Sequence, residues 1–335
     1  MRAGVTRLLV AVVVAATTAS ATLLHAPGAG AAAPAATSET ERIVPVIADP
    51  TPELPVTVES ADDRTVTVTD VSRVVSLNGS LSEVLFALGL GDRLVGRDVT
   101  TTFDEAKRVP VVTRAHDVSA ESVLSRRPTL VLAQVGNGPP AAFEQLRASG
   151  VPVLVFEEPE SIEGIGAREM AVATALGVPD AGVALRARTR AELRTVQQRI
   201  PKGVDKPKVA FLYMRGQAGV YLIGGKGSGA DSMIEAAGGI DAGSKMGLTK
   251  SFTPITSEAL VAAAPDIILM TTTGLASVGG IDGLVEIPGI AQTPAGINRR
   301  IVTQEDGLLF SFGSRTPEAV AALIRGFHRS SRSQA

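Results

Sequence analysis

With 335 residues the chain can fill two domains of ordinary size, and its 32 basic and 34 acidic residues leave no basic surface for nucleic acid. Aromatic residues make up 3 %, with no Trp and two Tyr, which excludes a stacking platform for bases. Cysteine is absent, so there is no disulfide, no thiol nucleophile and no cysteine for an N-terminal lipid anchor.

In chain order, Arg2 and Arg7 precede an apolar run from Leu8 to Ala16, and small residues follow to Ala29-Gly30-Ala31. This pattern reads as a secretory signal over 1–31 and predicts export across the inner membrane. Residues 32–55, rich in Ala, Pro, Thr and Glu, read as a flexible linker. Val56-Thr57-Val58 and Arg64-Thr65-Val66-Thr67-Val68 alternate around Asp62-Asp63 and predict a small hairpin. A buried strand over Arg73–Leu77 turns at Asn78-Gly79-Ser80 into a helix, capped by Ser80 or Ser82 and ended by Gly89. Strands follow at Leu94–Gly96, Leu130–Gln134 and Val153–Phe156, with helix at Gln145–Ser149 between the last two.

The stretch Ile162–Ile200 is helical in pattern, is interrupted at Gly177-Val178-Pro179, and restarts at Asp180 as an N-cap. The second piece would be roughly 30 Å long and reads as one long helix passing between two lobes. Its arginines 186, 188, 190, 194 and 199 form a solvated face. Lys208–Tyr213 opens a second lobe. The glycine run Gly224–Gly229 lacks the spacing of a phosphate loop and reads as backbone lining a cleft before a helix at Asp231. Strands at Ile267–Met270 and Ile301-Val302 follow. Thr316 as N-cap and Pro317 open a last helix to about His328. The fold class is therefore α/β: an N-terminal α/β lobe over 56–161, a helical segment over 162–204 and a C-terminal α/β lobe over 205–330.

One phrase is written twice. Val118-Ser119-Ala120-Glu121-Ser122-Val123-Leu124 with Pro128-Thr129-Leu130-Val131-Leu132 returns as Ile255-Thr256-Ser257-Glu258-Ala259-Leu260-Val261 with Pro265-Asp266-Ile267-Ile268-Leu269, an offset of 255 − 118 = 137. Each copy reads as a cap, a short helix, a proline and a strand. Leu85–Asp92 is echoed by Ile234–Asp241. Two lobes of one design, with a ligand cleft between them, explain both echoes.

Few residues can do chemistry. Of three histidines, His25 lies in the leader and His328 near the end of the last helix, where a cation suits the helix dipole. His116 lies in a loop, Thr113-Arg114-Ala115-His116-Asp117, just before the first repeat. No G-x-S-x-G or H-E-x-x-H motif occurs, and no nucleophile–base set is evident, so the chain reads as a binding protein and not an enzyme. Tyr213 ends a strand whose tip would face the ligand crevice. Arg215 projects to the same side if the strand continues, and a cation beside a phenol favours the phenolate, a donor suited to ferric or haem iron. By their residues alone, Tyr213 reads as a core residue or a ligand, and His116 as a loop residue or a ligand.

Arg73-Val74-Val75-Ser76-Leu77, Ser82–Gly89, Val109-Pro110-Val111-Val112 and Ile234–Gly239 resemble the substrate-binding proteins of iron-siderophore, cobalamin and haem ABC importers. The resemblance runs from about Val56 to His328. Phe211-Leu212-Tyr213-Met214-Arg215-Gly216, Asp231-Ser232-Met233-Ile234 and Thr293-Pro294-Ala295-Gly296 are most similar to the haem branch. It implies two Rossmann-like lobes joined by one long helix, acting as a monomer, with haem as the transported ligand between them. It also implies axial iron ligands at His116 and Tyr213, Arg215 as the partner of the tyrosine, and Met270 on the cleft wall. One glutamate per lobe, Glu121 and Glu258, would dock on the permease; the ordinary role of each is a first-turn acid favoured by the helix dipole.

Two departures stand out. Other haem-branch proteins carry a tyrosine in the first lobe's loop, where this chain has Arg114, and Gram-positive relatives carry a lipid-anchor cysteine that this chain lacks. The tether is therefore an uncleaved N-terminus, the permease itself, or none. Phe103, Val135, Tyr221, Phe252 and Met270 are candidate apolar walls, and Arg97, Arg114 and Lys250 candidate partners for haem carboxylates. A ferric siderophore or cobalamin is the alternative ligand; the lack of Trp counts against it.

Overall fold

Alternation along two central strands separates each lobe into three layers. The structure, a computed structural model, describes residues 42–114 and 117–329. The leader expected over 1–31, the first part of the linker and His116 lie outside the described residues.

The N-terminal lobe contains β1 (Val56–Ser60), β2 (Arg64–Val68), β3 (Val74–Ser76), α1 (Gly79–Ala87), β4 (Leu94–Asp98), β5 (Val111–Thr113), α2 (Ala120–Leu124), β6 (Leu130–Gln134), α3 (Pro140–Ala148) and β7 (Val153–Phe156). Its five-stranded sheet has the order β5-β4-β3-β6-β7, with every pair parallel. Leu130 and Leu132 of β6 face one apolar layer and Val131 and Ala133 the other. Burial on both faces is what a parallel sheet of Val, Leu and Ala requires. The β1–β2 hairpin covers the β7 edge: Ala61 N donates to Val155 O at 2.9 Å, and Val155 N to Ser60 Oγ at 2.9 Å.

Two helices, α4 (Ile165–Ala175) and α5 (Pro179–Gln197), then form an antiparallel pair. Gly182 lets α5 approach Ala173, where a Cβ would stand 2.5 Å from the alanine's. α5 spans both lobes: Ala181 and Leu185 join the N-terminal core, Leu193 and Val196 the C-terminal one. It begins at Pro179 with Val178 as N-cap, so Asp180 is a first-turn acid and not the cap.

The C-terminal lobe contains β8 (Lys208–Arg215), β9 (Val220–Gly224), α6 (Ala230–Ala236), β10 (Ile240–Asp241), α7 (Ala242–Lys245), β11 (Phe252–Pro254), α8 (Ser257–Ala263), β12 (Ile267–Thr271), α9 (Thr272–Ser277), α10 (Gly280–Glu286), α11 (Pro294–Ile297), β13 (Ile301–Gln304), α12 (Asp306–Leu309) and α13 (Thr316–Phe327). Its sheet runs β11-β9-β8-β12-β13, with β10 on the start of β8. β8, β12 and β13 are parallel, whereas β9 turns back along the end of β8.

The repeat is structural. β6 and β12 begin at 130 and 267 and end at 134 and 271, the same offset of 137. Ser119 caps α2 by accepting from Ser122 N, and Thr256 caps α8 by accepting from Ala259 N. Just before each proline stands a left-handed residue, Arg127 at φ 48° and Ala264 at φ 43°. α1 and α6 also end alike. Gly89 and Gly238, at φ 91° and 81°, donate to Phe86 O and Glu235 O, and the next residue donates back to Leu85 O or Ile234 O.

Three local expectations differ. Asn78, not a serine, caps α1, its Oδ1 accepting from Ser80 N at 2.9 Å. Residues 42–55 are not a free linker: Ile43 is buried, Val46 N donates to Ala87 O and Glu53 N to Gly177 O. Arg315, one residue before Thr316, caps α13.

Candidate functional site

The carboxyl ends of the parallel strands of the two sheets meet. Thr100, just beyond β4, lies against Gly307, just beyond β13; a Cβ there would be 3.0 Å from Thr100 O. Arg315 crosses the seam, donating from Nη2 to Glu83 Oε1 at 2.8 Å. Glu83 is 2 % exposed; burial pushes its carboxyl up, and Arg315 offsets part of that. Ile162 N donates to Ser232 Oγ at 3.1 Å farther along the seam. Ligands of open α/β sheets bind at such strand ends.

Tyr213 and Arg215 occupy the end of β8 on one face, because that strand alternates: Ala210, Leu212 and Met214 face one layer, and Val209 and Phe211 the other. Tyr213 is half-buried and stacks edge-on against Phe252, 5.8 Å between ring centres. Phe211 supports this group, 6.3 Å from Phe252 and 5.4 Å from Phe310. The Arg215 guanidinium lies over the Tyr213 ring, its Cζ 4.9 Å from the ring centre. A cation over an aromatic face is favourable by about 0.5–1 kcal/mol at a partly exposed site.

On the facing lobe, Arg114 is exposed, and its backbone exchanges both hydrogen bonds with Asp117. That closes the two ends of the loop that carries His116. Glu121 and Glu258 are both exposed, each the second residue of a helix with a side-chain cap, α2 and α8.

Other expectations are corrected. Met270 is 0 % exposed and belongs to the apolar layer of Leu212 and Met214. It is level with Leu212 in the sheet, so it faces away from Tyr213 and forms no cleft wall. Tyr221 pairs with Met214 and packs on that same layer. Arg97 spends its guanidinium on Val109 O and Thr101 O, which leaves it structural. Val135 borders a separate cavity of about 390 Å³ between the hairpin turn and α3, with Asp62, Arg64, Phe143 and Arg147. Phe103 is 4 % exposed and packs edge-on against Phe86 in the N-terminal core. Of the proposed walls, Phe252 stacks against Tyr213.

The seam pair Glu83–Arg315 was missed in the sequence, as were Thr273 and Asp306, which bond Arg215. No local pattern marks them; they are partners only through the fold. Among the described residues no group of three or more His, Asp or Glu is placed to hold a metal ion, and no helix is long and apolar enough to cross a membrane.

Known proteins share this architecture. The heme binding protein HmuT matches with a TM-score of 0.80 and 37 % identity, over 86 % of this chain and 94 % of that one. The periplasmic heme-binding protein RhuT from Roseiflexus sp. RS-1 matches with a TM-score of 0.74 and 39 % identity, over 78 % of this chain and all of that one. Variants of HmuT with a tyrosine, a histidine or an arginine replaced by alanine have also been solved, the tyrosine and arginine two positions apart.

Among sequence relatives, the uncharacterized ABC transporter substrate-binding lipoprotein YvrC of Bacillus subtilis is 28 % identical over 82 % of this chain and 86 % of its own length. The vitamin B12-binding protein of Yersinia pestis is 30 % identical over 42 % of this chain; the match spans 49 % of that protein. The family described as periplasmic binding protein matches residues 74–306, which take in both sheets and the helical pair between them. The chain therefore belongs to the periplasmic binding protein family.

Proposed function

We propose that this protein is the extracytoplasmic haem-binding component of an ABC importer, exported by its N-terminal signal, and that it carries ferric haem to a membrane permease without catalysing a reaction. Tyr213 and His116 supply the axial ligands from the two lobes, and Arg215 accompanies the tyrosine. The observation that carries the reading is Tyr213 with Arg215 over its ring at the end of β8. It occurs in a chain similar over most of its length to heme-binding proteins, one of which has been varied at a tyrosine and an arginine with the same spacing. A tyrosine oxygen is a hard donor suited to ferric haem, and an apolar cleft with one or two such ligands suits a flat, largely apolar molecule. Glu121 and Glu258, exposed at equivalent places in the repeat, would dock on basic residues of the permease.

The test is an absorbance titration of the purified chain with ferric haemin beside a parallel titration with cyanocobalamin. A saturable one-to-one Soret shift, weakened in Tyr213→Ala and His116→Ala, is expected. An unchanged spectrum and affinity in the double variant would remove the ligand assignment. Saturable cobalamin binding without a haemin response would favour the second reading, which the likeness to a vitamin B12-binding protein supports. Charge reversal at Glu121 and Glu258 is expected to abolish uptake into cells while leaving the haemin titration intact.

A further inference from the structure

Three adjacent parallel strands deliver three polar side chains to one place beside Tyr213. β8 ends in Arg215. β12 leads into α9, which carries Thr273, and β13 leads into α12, which begins at Asp306. β12 lies between the other two, with Met270 level with Leu212 on one side and with Thr303 on the other, so Arg215, Thr273 and Asp306 each stand three residues beyond one level of the sheet.

The contacts form a closed set. Arg215 Nη1 donates to Thr273 Oγ1 at 3.0 Å, and Nη2 donates to Asp306 Oδ1 at 3.3 Å. Thr273 in turn donates to Asp306 twice, from its backbone N to Oδ2 at 3.3 Å and from Oγ1 to Oδ1. Asp306 thus holds both the arginine and the threonine that flanks it. The Arg215 side chain is 37 % exposed, whereas its neighbour Met214 is buried in the apolar layer. A long side chain in that position has many rotamers open to it, whereas a planar guanidinium held on two acceptors has few. The far edge of the group is spent on Thr273 and Asp306, its face lies on the tyrosine ring, and its other N–H groups remain for a third partner.

We infer that Asp306, with Thr273, is a positioning residue that fixes Arg215 over Tyr213 and so presents the arginine's remaining donors to an anionic group of the bound ligand. The inference rests on the reading of Tyr213 and Arg215 as the ligand-binding pair. Asp306 reaches the ligand only by way of Arg215, and its bonds to Arg215 and Thr273 set it apart from an ordinary first-turn acid of α12.

A double-mutant cycle read by haemin release to excess apomyoglobin tests this. Asp306→Asn should speed release about tenfold in the chain that has Arg215, and no more than about twofold in an Arg215→Ala background. Equal acceleration in both backgrounds, or none in the first, would overturn the inference. A second measurement needs no ligand. The Arg215 Nε–H resonance, identified by its loss in Arg215→Lys, should show restrained ¹⁵N relaxation in the parent chain and become mobile in Asp306→Asn. An equally restrained resonance in Asp306→Asn overturns the positioning role. A parent chain that holds no haemin overturns the functional reading, and the resonance then decides the anchoring of Arg215 by itself.

Discussion

β3 and β8 occupy the same place in their sheets but end differently. Val74 of β3 pairs with Leu130, and Val209 of β8 pairs with Ile267. Leu130 and Ile267 are equivalent in the repeat (267 − 130 = 137), so Val209 corresponds to Val74 (209 − 74 = 135) and Tyr213 to Asn78 (213 − 135 = 78). At Asn78 the N-terminal lobe turns into α1, because the asparagine Oδ1 satisfies Ser80 N and starts the helix. At Tyr213 the C-terminal lobe continues as strand, because β9 folds back and pairs Tyr213 with Leu222 and Arg215 with Val220. The shared scaffold thus sets the level at which each chain reaches the cleft. The extra hairpin in one lobe sets which side chains arrive there.

Glu83 and Arg315 form a buried ion pair between the lobes, and the largest expected effect comes from breaking it. Removing one partner of a buried ion pair leaves the other charge without compensation, so Glu83→Ala should cost about 3–5 kcal/mol in urea unfolding. A loss under 1 kcal/mol would mean that the seam is wet and that the lobes are held by α4 and α5 alone.

Those helices carry a second test. Glu169 of α4 is buried, accepts from Thr189 Oγ1 of α5 at 2.6 Å, and its Oε2 has no partner. Burial pushes its carboxyl up to about 7 from the usual 4.5. The folded chain therefore favours the protonated acid, and this stability is full below 4.5 and is lost as the pH rises through 7. The shift corresponds to on the order of 3 kcal/mol, offset by about 1 kcal/mol for an orphaned amide in a glutamine variant. Glu169→Gln should accordingly be more stable than the parent by about 2 kcal/mol at pH 8 and have no advantage at pH 4. Thermal melts at both pH values check this; a gain independent of pH would refute the assignment.

Smaller effects sharpen the equivalence of the lobes. Ser119→Ala and Thr256→Ala each remove a cap from the repeated helix and should each cost about 1 kcal/mol. Unequal losses would show that the two copies share geometry but not energetics. Smallest of all, Arg127→Gly and Ala264→Gly relieve a left-handed backbone worth about 1–2 kcal/mol but add freedom to the unfolded chain. A net gain of about 0.5 kcal/mol, of the same sign in both lobes, is expected from differential scanning calorimetry.

The sequence by itself determined what is local. The repeat, its caps at Ser119 and Thr256, and strands β6, β7 and β12 follow from apolar runs and short polar signals that act within a few residues. The common side of Tyr213 and Arg215 follows from the two-residue period of a strand. Short edge strands such as β5 and β11, of three residues each, carry no such signal, since partners alone make them strands.

Tertiary structure decided the rest. Met270 faces away from Tyr213 because register aligns it with Leu212, a relation between strands that periodicity within one strand does not contain. Asp306 meets Arg215 across 91 residues and Arg315 meets Glu83 across 232. The first contact exists because three parallel strands of one sheet end side by side, and the second because two sheets bring their carboxyl ends to one seam. The identity of a side chain fixes what it can bond, but only packing fixes which partner is near enough.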